Sequence, residues 1–185
     1  MIPDLLTKEA VAALHAEAEQ FLVEERFREA GVGRSSEQAV RDMVRSDRIY
    51  WLAPETLTPA QAHYWEAIEA VRATLNRELF LSLVSFEAHY AAFPPGAFYK
   101  KHVDRFKTSD ERMISSTLYL NPDWQEEYGG QLRLYDDEAG PVDIVPRAGV
   151  FVLFRSDTVP HEVFPASRTR FSLTGWFRRR SLRPF

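Results

Sequence analysis

The chain has no cysteine in its 185 residues, which excludes a disulfide framework, a thiolate metal site and a cysteine nucleophile. It also lacks a basic excess, because 23 Lys and Arg against 27 Asp and Glu leave a formal net charge of −4. Phosphate-binding surfaces ordinarily carry such an excess, so no nucleic-acid partner is expected. No apolar run approaches the ~20 residues that span a bilayer, and Met1-Ile2-Pro3-Asp4 has no basic segment leading into an apolar one. The expectation is a cytoplasmic protein with no membrane partner. Internal repeats, low-complexity tracts and linker-like stretches are missing as well, so residues 1–185 are expected to form one domain. The one concentrated positive run, Arg178-Arg179-Arg180-Ser181-Leu182-Arg183, reads as a solvated tail.

Hydrophobic residues make up 45% of the chain and aromatics 13%, which suits a β-rich core. Two amphipathic helices come first. One runs from Thr7, a suitable N-cap, to about Glu25, with Val11, Leu14, Phe21 and Leu22 near helical spacing. The other is announced by Thr58 as N-cap, Pro59 at the first helical position and Gln61 completing a capping box, with an apolar stripe of Tyr64, Ile68, Val71 and Leu75. Between them lie a short strand at Phe27–Val32, a charged loop over Arg34–Arg48 and a strand at Arg48–Leu52. From Phe80 onward the pattern turns to short strands, beginning with a half-buried one in which Phe86, Ala88, Tyr90 and Ala92 alternate with more polar neighbours. Strands are predicted to carry His102, then to cover Met113–Leu120, Gln131–Tyr135, Val142–Val145, Gly149–Phe154, His161–Val163 and Arg170–Arg178. Eight or so short strands with frequent turns predict a mainly β jelly roll or barrel. Residues 81–180 would form this core, with 1–80 as helical support and a loop facing substrate.

The chemistry concentrates in Tyr99-Lys100-Lys101-His102-Val103-Asp104, Pro160-His161-Glu162-Val163 and Arg168-Thr169-Arg170. On an extended strand His102 and Asp104, two apart, leave the same face. A second imidazole from a distant strand would complete a two-histidine, one-carboxylate face that leaves the far side of a metal open, the arrangement suited to Fe(II) oxygen chemistry. The H-x-D triplet alone is a weak signal. Its setting strengthens it: apolar sequence on both sides, a histidine downstream, then an arginine on the next apolar run. Taken singly, His161 could equally be a hydrogen-bonded histidine at a strand edge.

These residues, together with Tyr119-Leu120-Asn121, Gly129-Gly130-Gln131-Leu132-Arg133 and Arg170-Phe171-Ser172-Leu173-Thr174-Gly175-Trp176, follow one another as in a known family. Over about Val84–Phe177 the chain resembles the Fe(II)/2-oxoglutarate dioxygenases. Within them it is similar to the prolyl 4-hydroxylases that act on proteins, in particular the small bacterial ones like the animal oxygen-sensing enzymes. The resemblance implies a double-stranded β-helix with N-terminal helices packed on it. It implies His102, Asp104 and His161 as Fe(II) ligands, and Arg170, nine residues after His161, as the anchor for 2-oxoglutarate in preference to Arg168. A guanidinium suits that role because it can pair with a carboxylate through two parallel hydrogen bonds. Tyr119 and Thr174 match positions whose hydroxyls help hold the far carboxylate, and Leu132 and Val163 match the apolar wall of the co-substrate pocket. Arg112 and Trp176 match positions near a protein substrate. Phe93 stands where some relatives carry a tyrosine, leaving Tyr90 or Tyr99 as possible sources of the missing hydroxyl. His15, His63 and His89 lack ligand spacing.

The function implied is C4 hydroxylation of a prolyl residue in a protein, such as a loop of a translation factor. Fe(II), 2-oxoglutarate and O2 would be consumed or used, ascorbate would be a candidate reductant, and succinate and CO2 would be released. Two other readings stand beside it: a hydroxylase of a free amino acid or other small molecule, and a non-enzymatic metal or 2-oxoglutarate sensor. Nucleic-acid demethylation by the same metal centre is disfavoured, because those enzymes place a second arginine six residues after the anchor, where this chain has Trp176.

Overall fold

The computed structural model describes residues 5–30, 44–105, 111–136 and 140–181. Among them are two helices and ten strands: α1 (Lys8–Val23), β1 (Arg28–Glu29), β2 (Arg48–Trp51), α2 (Pro59–Leu79), β3 (Leu83–Phe93), β4 (Tyr99–His102), β5 (Arg112–Tyr119), β6 (Leu132–Asp136), β7 (Gly140–Ile144), β8 (Phe151–Arg155), β9 (His161–Val163) and β10 (Arg170–Arg179). One turn of 3-10 helix occurs at Pro54–Thr56 and another at Glu126–Tyr128.

Both predicted helix starts are built as their sequences require. The Thr7 hydroxyl accepts from the Ala10 amide at 3.2 Å, and Thr58 and Gln61 cap each other's backbone amides with Pro59 in the first turn. Gln61 then donates to Glu17 of α1 at 2.6 Å, and the Tyr90 hydroxyl of β3 donates to the same carboxylate at 2.7 Å. One carboxylate therefore ties both helices to the sheet. No helix among the described residues is long and apolar enough to cross a membrane.

The strands form two antiparallel sheets. Six lie in the order β1-β2-β3-β10-β5-β8 and four in the order β4-β9-β6-β7, the two walls of the expected jelly roll. The central strands of the six-stranded sheet are buried on both sides. Phe86, Ala88, Tyr90 and Ala92 of β3, with Phe171, Leu173 and Phe177 of β10, pack against Val11, Leu14 and Phe21 of α1 and Tyr64 and Ile68 of α2. The alternate residues face the other sheet, where Ala91, Phe93 and Tyr119 meet Leu132, Ile144 and Val163. The half-buried reading of β3 is corrected accordingly: helices cover one face and a second sheet the other, so His89 and Ala91 are as buried as the apolar set between them.

Because the register is regular, the inward face reads as rows of paired residues. Arg170 lies opposite Phe93, and Ser172 opposite Ala91 and Tyr119. Thr174 lies opposite His89 and Thr117, and Trp176 opposite Glu87 and Ser115. Successive rows are ~6.5 Å apart along the strand, so the face runs from a cation at one end to a carboxylate and an indole at the other.

Gly175 allows this central pairing to close. A Cβ there would lie 2.4 Å from Phe86 Cζ and 2.7 Å from the Glu87 carbonyl oxygen, and the carbonyl belongs to a backbone that cannot swing aside. Gly175→Ala is expected to cost about 1–3 kcal/mol by overpacking, seen as a lower urea midpoint at unchanged slope.

Two predicted elements differ. The strand expected at Phe27–Val32 is paired only over Arg28–Glu29, and its later residues lie outside the described set, as do 34–43 of the charged loop. The positive run near the C-terminus begins inside β10: Arg178 donates to Glu87 at 3.0 Å and also pairs with Glu111. Arg178 and Arg179 are thus part of the sheet, Arg180 and Ser181 are exposed as expected, and 182–183 lie outside the described residues.

Candidate metal centre and co-substrate pocket

β4 ends at His102 and β9 begins at His161, and the two residues are register partners. Asp104 follows in the bend after β4, where Arg105 hydrogen-bonds back to the Ser156 carbonyl at 2.9 Å. The strand predicted to run through the H-x-D triplet therefore stops two residues early, at His102, and the turn brings the carboxylate round instead. Asp104 Oδ1 lies 3.5 Å from His102 Nε2 and 3.6 Å from His161 Nε2, and ligand atoms of all three residues lie within 4.8 Å of one another. They could hold a metal ion.

The surroundings fix which atoms would face it. His102 Nδ1 lies 2.7 Å from the Lys100 carbonyl and His161 Nδ1 3.2 Å from the Val159 carbonyl. A carbonyl only accepts, so each Nδ1 carries the proton and each Nε2 presents its lone pair. Asp104 Oδ2 accepts from the Ser115 hydroxyl at 2.6 Å, and that hydroxyl contacts the Ser156 hydroxyl at 2.9 Å, leaving Oδ1 for the ion. Burial alone would push the Asp104 carboxyl up, but in the metal-free site hydrogen bonds and charge from the two imidazoles, when these carry a proton at Nε2, more than reverse this and hold it well below its usual range.

The three residues open on a cavity of about 470 Å³ between the sheets, a size usual for small-ligand sites. Arg170 is 2% exposed, and its Nε and Nη1 are buried with no hydrogen-bond partner. Its guanidinium carbon stands 4.8 Å from the Phe93 ring centre and 4.9 Å from that of Tyr119, and the buried Tyr119 hydroxyl is also unpartnered. A cation sequestered from water without an anion is costly, so this end of the cavity could receive a carboxylate. Thr174, whose hydroxyl lies 3.5 Å from those of Thr117 and Ser172, lines the same cavity. Leu132 and Val163, paired across β6 and β9, form part of its opposite wall.

Other predicted residues sort clearly. Arg168 lies before β10, stacks on Tyr128 at 4.9 Å and is absent from the cavity lining. Arg112 lies over the Trp176 ring at 3.6 Å and donates to Glu87 at 2.9 Å, and both Arg112 and Trp176 line the cavity. Tyr90 cannot replace a hydroxyl at Phe93, because it points to the helices; Tyr99 does line the cavity. Nothing in the sequence marks Ser115, since only its register opposite Trp176 places it beside Asp104.

His89 lacks ligand spacing in the sequence, yet the fold gives it a place at the site. It lines the cavity, with Trp51 and Trp176 4.9 Å and 5.5 Å away between ring centres, and its Nδ1 lies 3.1 Å from the Tyr90 carbonyl. Its parity along β3, the same as Phe93, was the available signal. Burial pushes its imidazole down to about 4 from an ordinary ~6.5. The unfolded chain therefore takes up this proton first. The stability contribution is intact above pH ~6.5 and falls as pH drops toward 4, by on the order of 3 kcal/mol in all. His89→Met is expected to flatten urea midpoints across that window, and an unchanged pH dependence would contradict this.

A jelly roll holding a two-histidine, one-carboxylate cluster at one position in its cavity and an unpaired buried guanidinium at another defines an iron and 2-oxo-acid oxygenase. The chain belongs to the 2OG-Fe(II) oxygenase superfamily, whose model matches residues 88–178, and that family's chemistry uses Fe(II), 2-oxoglutarate and O2. Its fold matches a crystal structure of a Pseudomonas putida prolyl-4-hydroxylase at 44% identity and a TM-score of 0.87, covering 97% of this chain and 91% of that one. A prolyl hydroxylase from Trichoplax adhaerens, solved with a peptide fragment of the hypoxia-inducible factor oxygen degradation domain, matches at 26% identity and a TM-score of 0.86, covering 96% and 81%. The hypoxia-inducible factor prolyl hydroxylase of Caenorhabditis elegans is 34% identical over 76% of this chain, which spans 20% of that protein's length.

Proposed function

We propose that the chain is a cytoplasmic prolyl hydroxylase that oxidises C4 of a proline held within a protein. The observation that carries the co-substrate assignment is the unpartnered Arg170 guanidinium in the cavity that also contains the triad. In this reading residues 81–180 carry the site and 1–80 support it, within one domain. His102, Asp104 and His161 hold Fe(II) through Nε2, Oδ1 and Nε2. Arg170 receives the far carboxylate of 2-oxoglutarate, with hydroxyls from Tyr119 and Thr174 beside it. Leu132 and Val163 exclude water from its methylene chain. Bound Fe(II) and 2-oxoglutarate supply the oxidising chemistry, in which O2 gives one oxygen atom to the product and one to succinate, with loss of CO2.

The chain's own part is geometric. Both Nδ1 protons stay on backbone carbonyls, so the imidazoles keep their lone pairs inward. Ser115 holds the Asp104 carboxylate in one orientation. Arg112 and Trp176 present a cation stacked on an indole where a substrate peptide would lie. Likeness to the prolyl hydroxylases of P. putida and T. adhaerens, the latter solved with a peptide, supports a protein substrate; a loop of a translation factor is one candidate.

The test is mass spectrometry of tryptic peptides from a lysate treated with the purified chain and Fe(II), with and without 2-oxoglutarate. One added oxygen on a proline is expected, absent without 2-oxoglutarate and absent with His161→Ala. Consumption of 2-oxoglutarate with no modified peptide would replace the protein substrate by a small molecule. No consumption would favour a sensor.

A further inference from the structure

The segment Val44–Asp47 lies against β4 on the side away from β9. Lys100 donates its amide to the Val44 carbonyl at 2.9 Å, Ser46 donates to the Phe98 carbonyl at 3.1 Å, and Phe98 donates back to the Ser46 hydroxyl at 3.1 Å. Arg45 and Tyr99 form a bridge within this pairing. The segment is thus stitched to the strand that ends on His102.

Two physical connections lead from it to that imidazole. The first passes through side chains. Tyr99 stacks on His102 with ring centres 3.6 Å apart and planes 16° from parallel. The Arg45 guanidinium carbon lies 4.3 Å from the centre of the Tyr99 ring. Since His102 fills one face of the phenol, Arg45 must occupy the other, giving a three-layer stack. The outer layer is held in turn, because Arg45 makes a two-pronged pair with the buried Asp47 at 2.7 and 2.6 Å, the rigid geometry that a guanidinium and a carboxylate favour. The second connection passes through backbone. Lys100, whose amide is bound by Val44, uses its carbonyl to hold the His102 Nδ1 proton at 2.7 Å.

We infer that Arg45 and Tyr99 are positioning residues for His102, so that docking of Val44–Asp47 on β4 sets the orientation of one metal-ligating imidazole. His161 shares the backbone hold on Nδ1, through Val159, but in place of the parallel stack its ring meets Phe154 edge-on at 4.7 Å. The two histidines therefore differ in how they are held, and the more exposed of the pair is the one braced by the stack. The inference rests on the iron-site reading above.

Co(II), an air-stable stand-in for Fe(II), tests it without a substrate. Its affinity and visible d–d absorption would be measured for the parent chain, Arg45→Ala, Tyr99→Leu and Tyr99→Phe, each checked for folding by circular dichroism. Groups that orient a ligand are worth about 10–100-fold in metal affinity. Arg45→Ala and Tyr99→Leu are expected to bind Co(II) about tenfold more weakly with a shifted d–d band, while Tyr99→Phe, which keeps the stack, retains the parent's affinity and band. Should Arg45→Ala fail to fold, the Leu and Phe variants at position 99 decide alone. Folded Arg45→Ala and Tyr99→Leu with the parent's affinity and spectrum would overturn the inference. A parent that binds no Co(II) would instead overturn the iron-site reading, and this inference with it.

Discussion

Arg170→Met is expected to abolish tight 2-oxoglutarate binding and, at the same time, to raise the melting temperature of the ligand-free chain. The two effects share one cause. Arg170 is 2% exposed and two of its nitrogens have no hydrogen-bond partner among the described residues, so without co-substrate the fold carries a desolvated cation beside the Phe93 and Tyr119 rings. Replacing even a paired set of buried charges by apolar side chains of similar volume is often neutral or stabilising, by up to about 1–4 kcal/mol, and an unpaired one offers less to lose; each kcal/mol moves the melting temperature of a chain this size by ~2–4 °C. The bound state tells the opposite story. Removing one partner of a buried ion pair costs about 2–5 kcal/mol, or roughly 30-fold to several-thousand-fold in affinity. Calorimetric titration of 2-oxoglutarate together with thermal melting reads both. A variant that melts earlier than its parent would show the guanidinium to be satisfied in the free chain.

The second large effect is expected at the metal ligands. Because orienting groups are worth about 10–100-fold, loss of a ligand itself in His161→Ala should weaken metal binding by more than ~100-fold and remove 2-oxoglutarate turnover with it. Ser115→Ala falls between, at about tenfold, since Asp104 keeps both oxygens but loses the 2.6 Å hydrogen bond that orients it. Metal titration followed by a turnover assay orders the three chains. Equal affinity in His161→Ala and the parent would remove His161 from the site.

Sequence alone carried the parts of the fold that local chemistry decides. Thr58, Pro59 and Gln61 form a capping box whatever surrounds them, and the helix they start is present. The alternation along β3 showed which residues share a face, yet not that both faces would be covered, because burial of the second face depends on pairing with a sheet far away in sequence. The same limit explains the misses at the site. His102, Asp104, His161 and Arg170 stand out by residue type and order. Ser115 and His89 do not, because their roles come only from register: Ser115 opposite Trp176, and His89 opposite Thr174. In the sequence Arg178 reads as part of a charged tail, whereas in the fold it lies between Glu87 and Glu111.

The most direct test is anaerobic calorimetry of 2-oxoglutarate binding to the chain with and without Fe(II), in the parent, His161→Ala and Arg170→Met. Binding that requires the metal in the parent, and is lost in both variants, is the result predicted by the proposal that triad and guanidinium hold one molecule between them. Binding of equal strength in Arg170→Met, or no binding to the iron-loaded parent, would contradict it.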